Sequence, residues 1–252
     1  MWHDVKLLNT ITAALIGLCA LVLVATGLWW LAQRPMFVLK AITVHGSGEQ
    51  ELRHVNALTV KSTALPRIQG NFFTANLDAV RQAFEAVPWV RRATVRREWP
   101  NRLVVAVEEY QPLGTWGEDG RLLSVSGEVF TANLAEAEED GKLLEFAGPK
   151  GSEKEVATRY GELREWLAPT GLKPVAVYLS NRFSWSARLS NDMLVSFGRE
   201  QVGGMSIKEL VERMVQAYPQ LVARFPGRID SMDLRYPNGL ALNASGQVAE
   251  AR

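Results

Sequence analysis

The sequence predicts an α+β protein: a single N-terminal transmembrane helix, a small β-α-α-β-β module, then a mainly antiparallel β-domain with two helices. Three observations carry this. Thr10 to Leu31 contains no charged residue. Residues 37–110 alternate between strand-like and helix-like patterning in the order strand, helix, helix, strand, strand. From Leu113 onward, short β-patterned runs between glycine-rich turns are interrupted by two amphipathic helices.

The first element is the apolar run. At 1.5 Å per residue it makes about 33 Å of helix, enough to cross a hydrocarbon core of about 30 Å. Trp29 and Trp30 stand at its far end, where aromatic rings favour a membrane interface. Pro35 then breaks the helix. A cleaved signal peptide would have a shorter apolar core and a small-residue cleavage site. The run is longer and "LVATG" is a poor site, so the reading is an uncleaved anchor. Charge alone leaves its orientation open, with Lys6 before the span and Arg34 and Lys40 after it. Cys19, the single cysteine, lies inside the span, and a thiol-free remainder suits an oxidising exterior.

"FVLKAITVHGSG" alternates and reads as a strand ending near Gly46. A short helix follows within "EQELRHVNALTV", and Pro66 and Gly70 mark a loop. "NLDAVRQAFEAVP" is a helix capped by Asn76, with Leu77, Val80, Phe84 and Val87 on one face and Pro88 as its stop. Residues 89–99 and 102–109 form a hairpin about Pro100-Asn101, with Trp89 and Trp99 at core or hinge positions.

Beyond Leu113, "LGTW", "RLLSV", "EVF" and "LLEFAG" read as strands, and "LAEAEED" as a solvated acidic loop. Ser152 and Glu155 suggest a capping box for a helix whose inner stripe is Val156, Tyr160, Leu163 and Leu167. "VAVYLS", "SWSARL" and "MLVSFG" form a meander. Ser206 and Glu209 box a second helix with Ile207, Leu210, Met214, Tyr218, Leu221 and Phe225 inward, and Pro219 should kink it or make Tyr218 its last regular residue. Asn238-Gly239 signals a two-residue hairpin into a final strand.

Chemistry is harder to find. The net charge is only +1, against nucleic-acid binding through phosphates. In "VPWVRRATVRREW" alternation sends Arg92 and Arg96 outward as the wet face of a hairpin, while Arg91 and Arg97 join the apolar side, and Glu98 and Glu108 can offset part of the charge. No zinc spacing, nucleophile elbow or phosphate loop occurs. Glu108 and Glu109 fall on opposite strand faces and make a poor catalytic pair. No catalytic, metal-binding or cofactor-binding residue is assigned.

"VPWVRRATVRREWPNRLVVAVEEYQPLGTW" then carries a specific pattern: P-W-V, A-x-V-x-R-x-W-P and L-x-V-x-V-x-E-x-x-P. With the single anchor, "ITVHG", "GNFFTANLDAVRQAFEAVPWV", "GEVF", "LLEFAGPKGS" and "MDLRYPNG" in order, the chain resembles the FtsQ/DivIB bacterial cell-division family. "EFAGP" and the Arg-Tyr ending favour the FtsQ branch. The resemblance implies a short cytoplasmic tail (1–9), a transmembrane helix (10–33), a POTRA domain (37–110), a β-domain (111–244) and a mobile tail (245–252). It implies an inner-membrane, single-pass, non-enzymatic scaffold of the division complex, with its C-terminal domains periplasmic and enriched at the septum. The FtsB–FtsL pair would bind the β-domain through its last strand. FtsK and other division proteins would contact the POTRA domain.

An uncovered final strand offers unpaired N–H and C=O groups for strand addition. The partner-binding candidates are therefore Leu240, Ala241, Leu242 and Asn243, the turn residues Asn238 and Gly239, the preceding Arg235 and Tyr236, and Arg182, which matches a family arginine. Tyr236 fits simple packing as well as contact. Two other readings compete: an anchored envelope enzyme acting on peptidoglycan, and a POTRA-type export chaperone.

Overall fold

The computed structural model describes residues 5–48, 51–139, 141–200, 204–225, 227–236 and 239–245. The chain is α+β and divides into two compact units, Met1–Glu109 and Tyr110–Arg252.

The first unit begins with helix α1, Val5–Ala32, which contains Thr10, Trp29, Trp30 and Leu31. Its Leu8–Leu31 stretch is long and apolar enough to cross a membrane, and none of it is buried in the protein. A 3-10 turn, Pro35–Phe37, leads to β1, Ala41–Gly46. Helix α2, Ala57–Thr63, is capped by Asn56, whose side chain accepts from the Thr59 N–H. Helix α3, Leu77–Glu85, is capped by Asn76 as predicted, and Val80, Phe84 and Val87 are buried. Strands β2, Val90–Glu98, and β3, Arg102–Glu109, pair antiparallel, and β1 joins the other side of β3 in parallel. The order β1-β3-β2 puts β3 in the centre, which is why Leu103, Val105 and Val107 are almost wholly buried.

The hairpin arginines divide as the alternation implies. Arg91 pairs with Glu108 at 2.6 Å, while Arg96 stays exposed 3.9 Å from Glu98. Arg97, on the apolar face, donates to the carbonyls of Phe72 and Ala75, both at 2.7 Å. Trp89 is buried, but Trp99 is 66% exposed, so of the core and hinge readings Trp99 does not fit the core one. It shares the face of Ala93 and Val95, yet lies one residue beyond the end of β2. Glu109, set aside as a catalytic candidate, has a structural task. Its carboxylate accepts from the backbone N–H groups of Arg53, His54 and Val55 at 2.9, 3.1 and 2.6 Å. It satisfies the loop that leads into α2.

The second unit is built on a sheet of order β12-β11-β10-β9-β8-β7-β4-β5-β6 among the described residues. Its strands are β4 (Pro112–Trp116), β5 (Arg121–Ser124), β6 (Val129–Phe130), β7 (Leu144–Ala147), β8 (Pro174–Leu179), β9 (Trp185–Leu189), β10 (Leu194–Gly198), β11 (Arg228–Asp233) and β12 (Ala241–Ser245). Five of its eight pairings are antiparallel; β4–β7, β7–β8 and β10–β11 are parallel. Two parallel pairs span helical crossovers, as they must. Helix α5, Glu153–Trp166, lies between β7 and β8 in sequence, and α6, Ile207–Arg224, lies between β10 and β11.

Four local readings change. Asn133 caps a one-turn helix, α4 (Leu134–Ala137), inside the supposed acidic loop, so the unit has three α-helices among the described residues. Ser152 makes no capping bond; its hydroxyl donates instead to the Pro149 carbonyl at 2.7 Å. Helix α6 continues through Pro219 to Arg224, so Tyr218 is not its last regular residue. The predicted Ser206–Glu209 capping box is present. The last hairpin is also not a two-residue one: Asp233 pairs with Ala241, so residues 234–240 connect the strands.

Candidate functional site: an open sheet edge and the surface beside it

The last three strands are placed by α6. Its buried face packs into the core with Trp185, Phe197, Ile229 and Met232, and this lays β11 alongside β10 in parallel, Leu194–Ser196 against Ser231–Asp233. Leu234 continues inward, fully buried, and its N–H donates to the Ser196 carbonyl at 2.9 Å.

The segment after it is pinned at several points. Arg213 of α6 donates to the carbonyls of Leu234 and Tyr236, both at 3.1 Å. The Arg235 guanidinium grips Asp233, with Nε 2.9 and 3.0 Å from the two carboxylate oxygens and Nη2 2.5 Å from Oδ2. The Arg235 N–H also bonds Asp233 Oδ1 at 3.0 Å. These charge-assisted bonds hold the Asp233 carboxyl below its ordinary range and raise the arginine. The stem of Arg235 crosses Gly198, where a β-carbon would lie 2.9 Å from its Cγ. Gly198 also has φ +84°, a conformation that favours glycine.

Strand β12 then returns along β11, with Leu242 opposite Met232 and Asn243 opposite Ser231. Leu240 and Leu242 pack on the core, whereas Ala241, Asn243 and Ser245 are exposed. β12 ends the sheet, and among the described residues no strand pairs with its outer side. Ser245 hydroxyl donates to Asp230, which sits at a bulge in β11.

The structure brings most of the sequence-predicted residues onto this end of the sheet. Arg235 and Tyr236 line a recess of about 310 Å³ with Phe197, Arg199 and Met205. Tyr236 is 55% exposed, so packing does not account for most of its ring. Arg182 joins through its backbone: its carbonyl accepts from Arg199 Nε at 3.0 Å. Gly239 is exposed, and Asn238 lies outside the described residues. Sequence reasoning missed Phe183, exposed beside Arg182 with φ +57°, and Arg199. A large aromatic inside the polar "SNRFS" turn was the available signal for the first. Among the described residues, no three His, Cys, Asp and Glu side chains gather as a metal site would require.

Comparison with known proteins fits this architecture. Residues 40–110 match the family described as the POTRA domain, FtsQ-type, and residues 114–235 match the C-terminal domain of the cell division proteins FtsQ and DivIB. "Cell division protein FtsQ" of Burkholderia pseudomallei is 48% identical over 98% of this chain and 95% of its own length. The chain belongs to the FtsQ cell-division family. FtsQ of Bordetella pertussis is 41% identical over 96% of this chain and 92% of its own. FtsQ of Nitrosospira multiformis is 36% identical over 96% and 98%. The FtsQ/DivIB match stops at Arg235, ahead of β12, so the open edge lies just past the matched span. In this FtsQ-family chain the first module is a POTRA domain and the second is the larger sheet domain.

Proposed function

We propose that this chain is a non-enzymatic, bitopic scaffold of the bacterial division complex. In this reading α1 anchors it in the inner membrane with a cytoplasmic N-terminus. The POTRA and β-domains then stand in the periplasm, enriched at the division septum. The β-domain binds the FtsB–FtsL pair by adding a partner strand to β12, and the POTRA domain meets FtsK or other division proteins. The observation that carries it is the outer side of β12, with which no described strand pairs, in a protein of the FtsQ family. Strand addition satisfies edge N–H and C=O groups, and side chains beside the edge supply specificity. Exposed Tyr236, with Arg182 and Arg235 near it, suits that second role, since aromatic and arginine side chains dominate binding hot spots.

The test is capture of a tagged FtsB–FtsL pair by the full-length, detergent-solubilised protein. Ala241 faces outward, so Ala241→Lys leaves the fold intact, with stability within about 0.5 kcal/mol. Binding should nevertheless fall at least tenfold. Ala241→Pro removes a main-chain donor from the strand and should do the same. Undiminished binding by a folded Ala241→Pro protein sinks the strand-addition mechanism.

A further inference from the structure

The POTRA domain carries an aromatic cluster that its own core leaves outside. Phe37 closes the 3-10 turn after α1, Phe72 and Phe73 come from the loop before α3, and Trp99 comes from the β2–β3 turn. Ring centroids lie 4.9 Å apart for Phe37–Phe73, 6.1 Å for Phe37–Trp99 and 6.4 Å for Phe72–Trp99. The backbone beneath them is pinned. The Phe72 N–H donates to the Phe37 carbonyl at 2.9 Å, and the Asn101 amide donates to the Met36 carbonyl at 3.2 Å. Arg97 holds Phe72 from below. Yet Trp99 is 66% exposed, Phe73 52%, Met36 55% and Val38 52%. A fixed backbone that shows this much contiguous apolar surface to water marks an interaction site.

Its position selects the partner. Helix α1 ends at Ala32, four residues before Met36. At about 3.5 Å per residue, the patch begins within about 14 Å of the helix end. The polar zone outside the hydrocarbon core is roughly 5–7 Å deep on each side, and Trp rings favour it. The last turns of α1 already expose Trp29 and Trp30, with the Arg34 guanidinium 3.4 Å over the Trp30 ring. Lys40 and Arg102 are exposed on either side of the β1–β3 register that begins at Ala41 and Arg102, suiting anionic headgroups. The carboxylate next to the turn, Glu98, lies 3.9 Å from Arg96.

We propose that Met36, Phe37, Phe73 and Trp99 form a membrane foot, seated in the headgroup layer of the leaflet from which α1 emerges. The foot rests on the reading of α1 as a membrane span. It gives the POTRA domain a second attachment a few residues from the first, and so limits how far the domain swings from the bilayer.

The full-length protein in phosphatidylethanolamine–phosphatidylglycerol vesicles tests this by spin-label accessibility to lipid-soluble oxygen and to a water-soluble nickel chelate. One label goes on native Cys19. The others go on Phe73→Cys, Trp99→Cys and Val125→Cys in a Cys19→Ala background, Val125 being an exposed residue of the other unit. Positions 73 and 99 should show an oxygen-to-nickel ratio several-fold above position 125, with Cys19 deeper still. Adding Trp99→Glu should drop the ratio at position 73 toward that at 125. Equal ratios at 73, 99 and 125 with Cys19 deep overturn the foot alone, and that is also the result if the patch serves a protein partner. An aqueous Cys19 overturns the span and the foot together.

Discussion

Two connections in this protein carry an aromatic residue followed by Pro-Asn. Trp99-Pro100-Asn101 joins β2 to β3, and Tyr236-Pro237-Asn238 stands between β11 and β12. Both expose their aromatic ring, Trp99 by 66% and Tyr236 by 55%. Their returning strands have opposite fates. β3 is enclosed between β1 and β2, and its Leu103 and Val105 are wholly buried. β12 has β11 on one side and no described strand on the other. Local turn chemistry is therefore not what distinguishes a core strand from an open edge. The second neighbour is, and it comes from β1, more than fifty residues away in sequence.

Removing core from the enclosed strand should have the largest effect. Leu103→Ala deletes a fully buried side chain opposite Ile42 and Arg97 and should cost about 2–5 kcal/mol. Thermal or urea unfolding of the POTRA domain reads this. A loss under about 1 kcal/mol would break the contrast with Ala241, whose substitution is expected to spare stability and remove binding.

Glu109→Ala comes next. It strips three backbone N–H groups of their acceptor, and hydrogen bonds to a charged group contribute about 1.5–3 kcal/mol each way they have been measured. A loss of about 2–3 kcal/mol is expected, with hydrogen exchange fastest at Arg53–Val55. Glu109→Gln, which keeps an acceptor, should recover part of it.

These examples show where sequence was a sufficient guide. The charge-free run of α1, the Asn76 cap, the Ser206–Glu209 box and the β2–β3 alternation are local patterns, and local patterns survive folding. What escaped was decided by distant packing. Alternation gives the face of Trp99, but not that its ring stays 66% exposed past the end of β2. Glu109 alternates like any strand residue, but nothing nearby in sequence says that three N–H groups from residues 53–55 converge on it. The parallel β10–β11 pair depends on α6 standing between the two strands in sequence, and the Asn238-Gly239 signal rests on a residue outside the described ones. On the candidate edge, β12 and the nearby Arg235 and Tyr236 were legible, whereas Phe183 belongs to the β8–β9 loop and Arg199, just after β10, meets that loop only through its bond to the Arg182 carbonyl.

The Gly198 site sharpens the comparison on the open side. Gly198→Ala places a methyl 2.9 Å from Arg235 Cγ at φ +84°, so it should cost about 1–2 kcal/mol. Because the arginine stem must shift, partner binding should weaken as well, which separates this variant from Leu103→Ala. Stability measured by urea and capture of FtsB–FtsL measured in parallel give the two readouts.

The smallest effect should be on pH dependence. Asp233 is held below its ordinary carboxyl range by its hydrogen bonds with Arg235. A group whose folded value is depressed contributes stability above its unfolded value, and that contribution is lost as pH falls through the folded one. An unfolded aspartate titrates at about 3.9, so the contribution is intact at neutral pH, begins to fall below about pH 4 and is gone once the pH passes below the depressed folded value. Arg235 is exposed, so solvent screening keeps it small. Asp233→Asn should therefore lower stability slightly at pH 7 and converge with the parent protein in acid. Leu103→Ala should keep its deficit at both pH values wherever the domain remains folded. A constant gap between Asp233→Asn and parent from pH 7 to pH 3 would mean that the Asp233–Arg235 clasp works by shape instead of charge. The loop leading to β12 would then be set by the Arg213 bonds to Leu234 and Tyr236 and by burial of Leu234 alone.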